Sequence, residues 1–254
     1  MARLSSELVS IVTPAFRAAR FVGESIRSVV AQDYPNWEMI VVDDCSPDDT
    51  AKRVDEWVKR DSRVRLIRQL RNSGPAAARN AALASSSGRF AAFLDCDDFW
   101  LPQKLSRQLE FMRTKGAAIS FTGFRRISED GGQIGRLLTV PERLTYAQLL
   151  GNTAIATSTV IIDRSITGPL QMREVYYDDF VLWLSLLRRG HVAFGMNEDL
   201  MRYRVVGKSV SRNKTRSARE VWKTYRHVEE LGMVRSAWCF LNYSARGWLK
   251  YVRF

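Results

Sequence analysis

Four short, continuous apolar runs lie along the first hundred residues, and their alternation with helical patterns limits the possible folds more than any other feature. The runs are at 9–12, 39–42, 64–67 and 90–94. Segments with apolar residues at helical spacing lie between them, at 21–31, 48–59 and 75–84. Strands that alternate with helices form parallel sheets with right-handed crossovers, and uniformly apolar strands are covered on both faces. We therefore predict an α/β fold with a mostly parallel, Rossmann-like sheet flanked by helices.

The second half of the chain is less regular. Helices are predicted over 102–115, 145–150 and 179–189. Strands are predicted over 157–162 and 191–195. Residues 118–134 are expected to form a hairpin that turns at Asp130-Gly131-Gly132, because glycines supply the backbone conformations that tight turns need.

Acidic residues follow two of the predicted strands. Asp43 and Asp44 end the second run, and an acidic turn, Asp95-Cys96-Asp97-Asp98, ends the fourth. Ligands of open α/β sheets bind at the carboxyl ends of the strands. Converging carboxylates repel unless a cation lies between them, and a hard divalent ion such as Mn²⁺ or Mg²⁺ would also bridge a diphosphate. A helix-capping role for the first pair is the alternative.

The usual phosphate-binding loops are missing after the first strand. Neither a Gly-x-x-x-x-Gly-Lys-Ser/Thr loop nor a Gly-x-Gly-x-x-Gly fingerprint occurs there. If the chain binds a diphosphate, a metal ion and arginines must hold it.

Positive charge is concentrated at the carboxyl-terminal end. Residues 202–254 contain 13 Lys and Arg against three Glu, so they carry +10 of the net charge of +12. Such a tail favours an anionic partner, which could be nucleic acid, phospholipid or an anionic substrate. Charge alone does not distinguish these three.

A helical wheel of the tail separates apolar from basic residues. One arc holds the apolar stripe, which consists of Val234, Trp238, Leu241, Ala245, Trp248, Leu249 and Val252. A neighbouring arc holds the basic residues Arg235, Arg246, Lys250 and Arg253. This pattern is typical of a helix that lies on an anionic membrane surface, here over residues 234–254. The alternative is that the stripe packs on the body of the protein.

Six segments, in order, carry a resemblance to a known family. They are VSIVTPAF (9–16), IVVDDCS (40–46), NSGPAAARN (72–80), FLDCDD (93–98), YDDFVLWL (177–184) and YRVVGKSVS (203–211). With them the chain resembles the family 2 inverting glycosyltransferases, which have the GT-A fold. It is most similar to members that build bacterial cell-wall or surface polysaccharides, including teichuronic acid-type enzymes. The resemblance implies a GT-A domain over 1–212, with a nucleotide-binding half (1–100), an acceptor-binding half (101–212) and a basic helical tail (213–254).

The resemblance also implies which residues bind the nucleotide-sugar. Pro14 and Phe16 would line the nucleobase pocket, and Asp44 would accept a hydrogen bond from the base. Arg79 and Asp95 would lie near the nucleotide. The remaining donor-binding residues that it implies are Asp97, Arg204, Lys208 and Ser209, of which the last three would close over the diphosphate.

Metal binding and catalysis are assigned by the same resemblance. Asp97 and Asp98 would hold Mn²⁺ or Mg²⁺, which would stabilise the leaving diphosphate. Asp179 would be the catalytic base, since an inverting attack needs a carboxylate to take the proton of the acceptor hydroxyl. Asp178 precedes it at a position where relatives usually have glutamate, and a helix cap is the alternative role for Asp179.

The expected function is transfer of a sugar, most consistent with a UDP-sugar donor, to a saccharide or lipid-linked acceptor in cell-envelope polysaccharide synthesis. A nucleotidyltransferase of similar fold would need a glycine-rich loop with a basic residue after the first strand, and residues 13–16 do not form such a loop. A nucleic-acid-binding module is the third candidate because of the basic tail, but the acidic strand ends argue against a nucleic-acid partner. Three cysteines, which cannot all pair with each other, and the absence of a long apolar segment predict a cytoplasmic protein. The basic tail predicts that it is peripheral on the inner face of the cell membrane.

Overall fold

The computed structural model of the chain describes residues 7–152, 154–207 and 214–251, apart from the side chains at 214 and 247–251. A large sheet of eight strands has the order β3-β2-β1-β4-β10-β6-β11-β9. In chain order its strands are β1 (Val9–Ala15), β2 (Trp37–Asp43), β3 (Val64–Arg68), β4 (Phe90–Phe93), β6 (Ile119–Thr122), β9 (Arg143–Leu144), β10 (Ile161–Asp163) and β11 (Ala193–Met196). Strands β3, β2, β1 and β4 are parallel, whereas β10 runs antiparallel to both of its neighbours.

Helices flank the large sheet, so the predicted α/β architecture is confirmed. They are α1 (Val22–Val30), α2 (Thr50–Val58), α3 (Pro75–Ala84), α4 (Lys104–Lys115), α5 (Tyr146–Leu150), α6 (Arg164–Thr167) and α7 (Asp178–Arg188). The tail forms α8 (Lys214–Lys223), a π-helical turn (Thr224–Val228) and α9 (Met233–Tyr251). Every helix expected before the tail is therefore present, to within a few residues at each end.

The strands are apolar throughout because both faces of the sheet are covered. On β1, Ile11 packs in one hydrophobic cluster and the next residue, Val12, packs in the other. On β2, Met39 and Ile40 divide in the same way. Successive side chains of a strand point to opposite faces, so a strand between two cores must be apolar at every position.

A second sheet of four strands lies at the carboxyl end of β4. Its order is β5-β12-β7-β8, with β5 (Phe99–Trp100), β7 (Phe124–Ser128), β8 (Ile134–Leu138) and β12 (Met201–Val205). Strand β12 is parallel to β7 and antiparallel to β5. This sheet connects the acidic turn, residues 95–98, to the segment that contains Arg204.

Three predictions for the second half need correction. The turn at Asp130-Gly131-Gly132 is present, but it joins β7 to β8, and residues 119–122 belong to the other sheet. The expected strand over 157–162 is a 3₁₀ turn at Thr157–Thr159 followed by β10. The strand expected at 191–195 begins two residues later. In each case contacts distant in sequence set the boundary, and the local pattern does not report them.

The tail helices pack on the body through one side only. Val221 and Tyr225 are fully buried, and Cys239 is buried in the same hydrophobic cluster. The rings of Trp222 and Phe240 meet edge-to-face at 5.8 Å and join α8 to α9. The inner face of α9, which is Ser236, Cys239, Phe240 and Tyr243, is thus turned toward the protein.

The outer face of α9 consists of Val234, Trp238, Leu241 and Ala245, and all four are exposed. The first three expose 85%, 68% and 64% of their surfaces. These described members of the stripe do not pack on the body, so the packing alternative is wrong for them. Trp248, Leu249 and Val252 lie outside the described side chains. Within the described ranges, α9 and the other helices are too short or too polar to cross a bilayer.

Candidate active site

Asp44 is positioned at the carboxyl end of β2 and holds the start of α3. Its carboxylate accepts hydrogen bonds from the backbone amides of Ser73 (2.7 Å) and Gly74 (2.8 Å). Its own amide donates to the carbonyl of Ala15 at 2.8 Å, which ties β1 to β2 at the same edge. These amides belong to the two residues that precede α3, and the N-cap of α3, Gly74, has no side-chain capping bond, so the capping alternative is not confirmed. Asp44 is buried at 3% exposed, and each of its carboxylate oxygens keeps one further acceptor position beside the bond from Ser73 or Gly74.

Phe16 lies just beyond the end of β1, beside Asp44 in the adjoining loop. Its side chain is 42% exposed, and the guanidinium of Arg17 lies 5.2 Å from the centre of its ring. Arg17 has a positive φ of 52° and its amide donates to the hydroxyl of Ser46 at 3.1 Å. Pro14 is half-buried in β1. An exposed ring beside a carboxylate is a suitable surface for stacking a nucleobase.

The acidic turn is held in place by Ser158, from a loop 60 residues away. The hydroxyl of Ser158 donates to Asp98 at 2.6 Å and accepts from the backbone amide of Asp95 at 3.0 Å. Asp98 also accepts from the backbone amide of Arg204 at 2.9 Å. Asp98 is buried, whereas Asp95 and Asp97 are half-buried and remain accessible. The turn therefore presents two carboxylates to solvent and anchors the third.

The carboxylates of the acidic turn oppose each other's ionisation. Burial, followed by the negative charge of Asp95, raises the pKa of Asp97 to about 6. Burial and then the charges of Asp97 and Asp95 raise the pKa of Asp98 well above its ordinary value. A divalent cation would relieve this repulsion, and an all-oxygen donor set suits Mn²⁺ or Mg²⁺. Within 7–152, 154–207 and 214–251, no three acidic, His or Cys side chains form a complete metal-binding group.

Arg79 joins the acidic turn to the helix that carries the predicted base. Its guanidinium is buried and donates to Asp178 at 2.7 Å and to Asp95 at 2.6 Å. Burial opposes the charged form, but the carboxylates of Asp95, Asp178 and Asp179 outweigh it and raise the pKa of Arg79. Burial raises the pKa of Asp178, and the charge of Arg79 counteracts that shift. The two predicted parts of the site thus share one buried cation.

Asp179 is in the first turn of α7, and its side chain is half-buried. The hydroxyl of Thr157 donates to one carboxylate oxygen, and the amide of Phe180 donates to the other at 2.6 Å. Donors at both oxygens fix the orientation of the carboxylate.

Arg204 is buried in the second sheet and forms internal contacts. Its guanidinium donates to the carbonyls of Asp97 (3.0 Å) and Glu129 (2.9 Å) and forms an ion pair with Glu24. Through its bond to Asp97, Arg204 helps to hold the acidic turn in place. Its role in donor binding stays a prediction. Lys208 and Ser209 lie outside the described residues.

Comparison with known proteins identifies the family. The profile described as "Glycosyl transferase family 2" matches residues 10–168, more than half of the chain. The chain belongs to glycosyl transferase family 2. The match covers both strand ends that carry the acidic residues, and it favours glycosyl transfer over nucleotidyl transfer and over a nucleic-acid-binding module.

Two bacterial relatives align with this glycosyltransferase over almost its whole length. TuaG of Bacillus subtilis (strain 168), assigned as a teichuronic acid biosynthesis glycosyltransferase, is 44% identical over 238 residues, which are 93% of this chain and 94% of TuaG. WfgD of Escherichia coli, a UDP-Glc:alpha-D-GlcNAc-diphosphoundecaprenol beta-1,3-glucosyltransferase, is 35% identical over 246 residues, which are 96% of this chain and 95% of WfgD.

Solved structures share the fold of this glycosyltransferase. Staphylococcus aureus TarS 1–349 in complex with UDP-GlcNAc has a TM-score of 0.69 at 18% identity, over 94% of this chain and 72% of that one. The mannosyltransferase PcManGT from Pyrobaculum calidifontis, in complex with GDP-Man and Mn²⁺, has a TM-score of 0.70 at 17% identity, over 94% and 73%. Identities this low establish similarity of the fold alone.

Two residues of the glycosyltransferase contact predicted site residues without a signal in the sequence. Thr157 contacts the predicted base and Ser158 anchors the acidic turn, yet neither has a local pattern that signals it. Both belong to the segment misread as a strand. In their buried 3₁₀ turn, the hydroxyl of Thr157 points to Asp179 and the hydroxyl of Ser158 points to the acidic turn.

A cavity of about 300 Å³ opens beside the start of α3. It is lined by Ser73, Gly74, Pro75, Ala76, Glu174, Val175, Tyr176, Arg216 and Glu220. None of the predicted metal or base residues lines it. It adjoins the two amides that bind Asp44, so it extends the predicted nucleobase end of the site toward α8.

Proposed function

We propose that this protein transfers a sugar, with inversion, from a UDP-sugar to a saccharide or lipid-linked acceptor in cell-envelope polysaccharide synthesis. The observation that carries the proposal is the Arg79 bridge between Asp95 of the acidic turn and Asp178 of α7. It brings a candidate leaving-group site and a candidate base into one polar centre. The named activity of WfgD and the assignment of TuaG support this donor and this class of acceptor.

The nucleobase end of the donor site is proposed to be Pro14, Phe16 and Asp44. Phe16 offers an exposed ring for stacking, and Asp44 offers a carboxylate oxygen fixed by the amides of Ser73 and Gly74. The imide N–H of a uracil ring can donate a hydrogen bond to a carboxylate. This supports UDP as the nucleotide.

The diphosphate end is proposed to lie at the acidic turn, with Asp97 and Asp98 as the metal-holding residues and Asp95 and Arg79 beside them. A bound Mn²⁺ or Mg²⁺ would stabilise charge on the leaving diphosphate. Asp97 is the accessible member of the pair, and Asp98 keeps the turn rigid through Ser158 and Arg204. Lys208 and Ser209 are proposed to approach the diphosphate from the segment after β12.

Inversion is proposed to depend on Asp179. Its carboxylate would accept the proton of the acceptor hydroxyl as that oxygen attacks the anomeric carbon and the bond to the diphosphate breaks. The hydrogen bonds from Thr157 and Phe180 hold the carboxylate in one orientation, which favours a single angle of attack.

A donor screen tests the proposed function. UDP-, GDP- and dTDP-sugars are incubated with the protein and Mn²⁺, and release of the nucleotide diphosphate is measured. We expect turnover of a UDP-sugar, which Asp97→Ala lowers by about 10²-fold or more because the diphosphate loses metal-dependent binding. Asp33→Ala, a surface aspartate after α1, serves as the control and should behave like the wild type. Metal-independent turnover that is unchanged in Asp97→Ala would contradict the assignment.

The tail is proposed to bind an anionic membrane surface through the outer face of α9. Val234, Trp238 and Leu241 form an exposed apolar stripe, and Arg235 and Arg246 are exposed beside it. Apolar residues enter the interfacial region of a bilayer while flanking arginines attract acidic headgroups. This charge pattern favours anionic lipid, and we propose that the enzyme works at the inner face of the cytoplasmic membrane, where a lipid-linked acceptor would be available.

Vesicle sedimentation tests the membrane proposal. We expect the wild type to sediment with phosphatidylglycerol-containing vesicles, less so at high salt, and not with neutral ones. Trp238→Ser should weaken binding by about tenfold, because it removes one large apolar side chain from the interface. Ser244→Ala, an exposed site on the same helix outside the stripe, is the control. Equal binding to neutral vesicles, or tighter binding to DNA than to lipid, would exclude an anionic membrane as the partner.

A further inference from the structure

The inner face of α9 contacts the residues on either side of the proposed base. The rings of Tyr243 and Phe180 lie 6.2 Å apart at an angle of 59°. The side chain of Tyr177 lies next to that of Tyr243, and burial, followed by the charge of Tyr177, raises the pKa of Tyr243. Tyr177 immediately precedes Asp178, and Phe180 immediately follows Asp179. One tyrosine of the tail thus touches both ends of the Asp178–Asp179 pair.

A second contact links α9 to the loop that orients the base. A Cβ atom on Gly151 would lie only 3.1 Å from the Cβ of Asn242, the residue next to Tyr243. The chain beyond Gly151 leads to Thr157, whose hydroxyl donates to Asp179. Because Gly151 has no side chain, the backbone at this position packs directly against Asn242 of α9.

The same part of α9 carries the proposed membrane-binding residues on its other side. Trp238 and Leu241 are exposed, while Tyr243, two residues after Leu241, faces α7. A helix is stiff over this distance, so a displacement or rotation of its outer face moves its inner face as well. Whatever fixes the outer face also restricts Tyr243.

We propose that Tyr243 is a positioning residue through which membrane binding by α9 controls the placement of Asp179, so that the enzyme turns over faster on an anionic bilayer than in solution. This rests on the proposed function. In this role Tyr243 acts through its neighbours and not on the substrate itself. It holds Tyr177 and Phe180, and these hold the first turn of α7.

The experiment compares turnover of a UDP-sugar with and without vesicles that contain phosphatidylglycerol. For the wild type we expect kcat to rise about fivefold on vesicles, the change that one well-placed hydrogen bond can supply, with little change in KM for the donor. Tyr243→Phe keeps the ring against Phe180 and removes only the hydroxyl. It should sediment with vesicles as the wild type does and lose the rise in kcat. Trp238→Ser should bind vesicles about tenfold more weakly and should need correspondingly more lipid to reach the same rise in kcat.

Amide hydrogen exchange gives a readout that does not depend on turnover. Vesicles should slow exchange in the peptide that covers 174–184 of the wild type, and this protection should be absent in Tyr243→Phe. If Tyr243→Phe showed the full rise in kcat and the full slowing of exchange on vesicles, the coupling would be overturned. It would also be overturned if the wild type bound vesicles but showed neither the rise in kcat nor the slower exchange. If no donor turns over but the protection follows Tyr243, the proposed function fails and the coupling stands.

Discussion

Asp179→Asn is expected to lower the rate of sugar transfer by about 10³-fold while leaving affinity for the UDP-sugar within about threefold of the wild type. The amide is nearly isosteric with the carboxylate, and its oxygen can still accept from Thr157 or Phe180. It cannot take a proton from the acceptor hydroxyl. Single-turnover transfer and donor binding, measured separately, distinguish loss of the base from loss of binding.

The control for this substitution is Asp61→Asn. Asp61 also forms hydrogen bonds and an ion pair, with Arg63, but it precedes β3 and so lies at the opposite edge of the sheet from the acidic turn. It should leave transfer unchanged. Asp178 adjoins Asp179, but its carboxylate forms an ion pair with Arg79, so we do not expect Asp178 to replace the base. Transfer at the full rate in Asp179→Asn, or a product with retained configuration, would remove Asp179 from the role of base.

The fold of the first half could be predicted because its signals are local. Strands β1, β2 and β4 lie between two hydrophobic clusters, so they read as apolar runs without polar alternation. Asp44 and the acidic turn then follow from one rule, that ligands bind at the carboxyl ends of parallel strands. Even so, the pattern did not reveal that Asp44 also binds the backbone amides of Ser73 and Gly74, just before α3.

The second half could not be predicted as well because its contacts are distant in sequence. Strand β5 has two residues and exists because Trp100 and Phe99 pair with β12, about a hundred positions later. Ser158 reaches Asp98 across 60 positions. A helical wheel likewise separated the polar and apolar sides of α9, but the contact of Tyr243 with Phe180 required the packed structure. Short elements fixed by tertiary pairing carry little information in their own residues.

The sequence placed Arg79 near the nucleotide, and the structure suggests that the same side chain is also needed for stability. Arg79→Met should lower the free energy of unfolding by about 3–5 kcal/mol, because a buried cation is removed while Asp95 and Asp178 remain. Arg68→Met, which breaks the surface pair with Asp55, should cost less than about 1 kcal/mol. Chemical denaturation at pH 7.5 measures both. A loss in Arg79→Met no larger than that in Arg68→Met would contradict a bridging role.

The loss of stability in Arg79→Met should depend on pH. Without the guanidinium, burial raises the folded-state pKa of Asp178 further above its unfolded value, and a group shifted in this direction favours folding when protonated. The defect is therefore complete above the raised pKa and shrinks as the pH falls toward the ordinary range of aspartate. Adding Asp178→Asn removes one of the unpaired charges, so the double variant should be more stable than Arg79→Met at neutral pH. We expect Arg79→Met and the double variant both to be inactive, because neither connects Asp95 to α7. Recovery of stability without recovery of turnover would separate the two roles of Arg79, and recovery of both would mean that Arg79 acts only by neutralising Asp178.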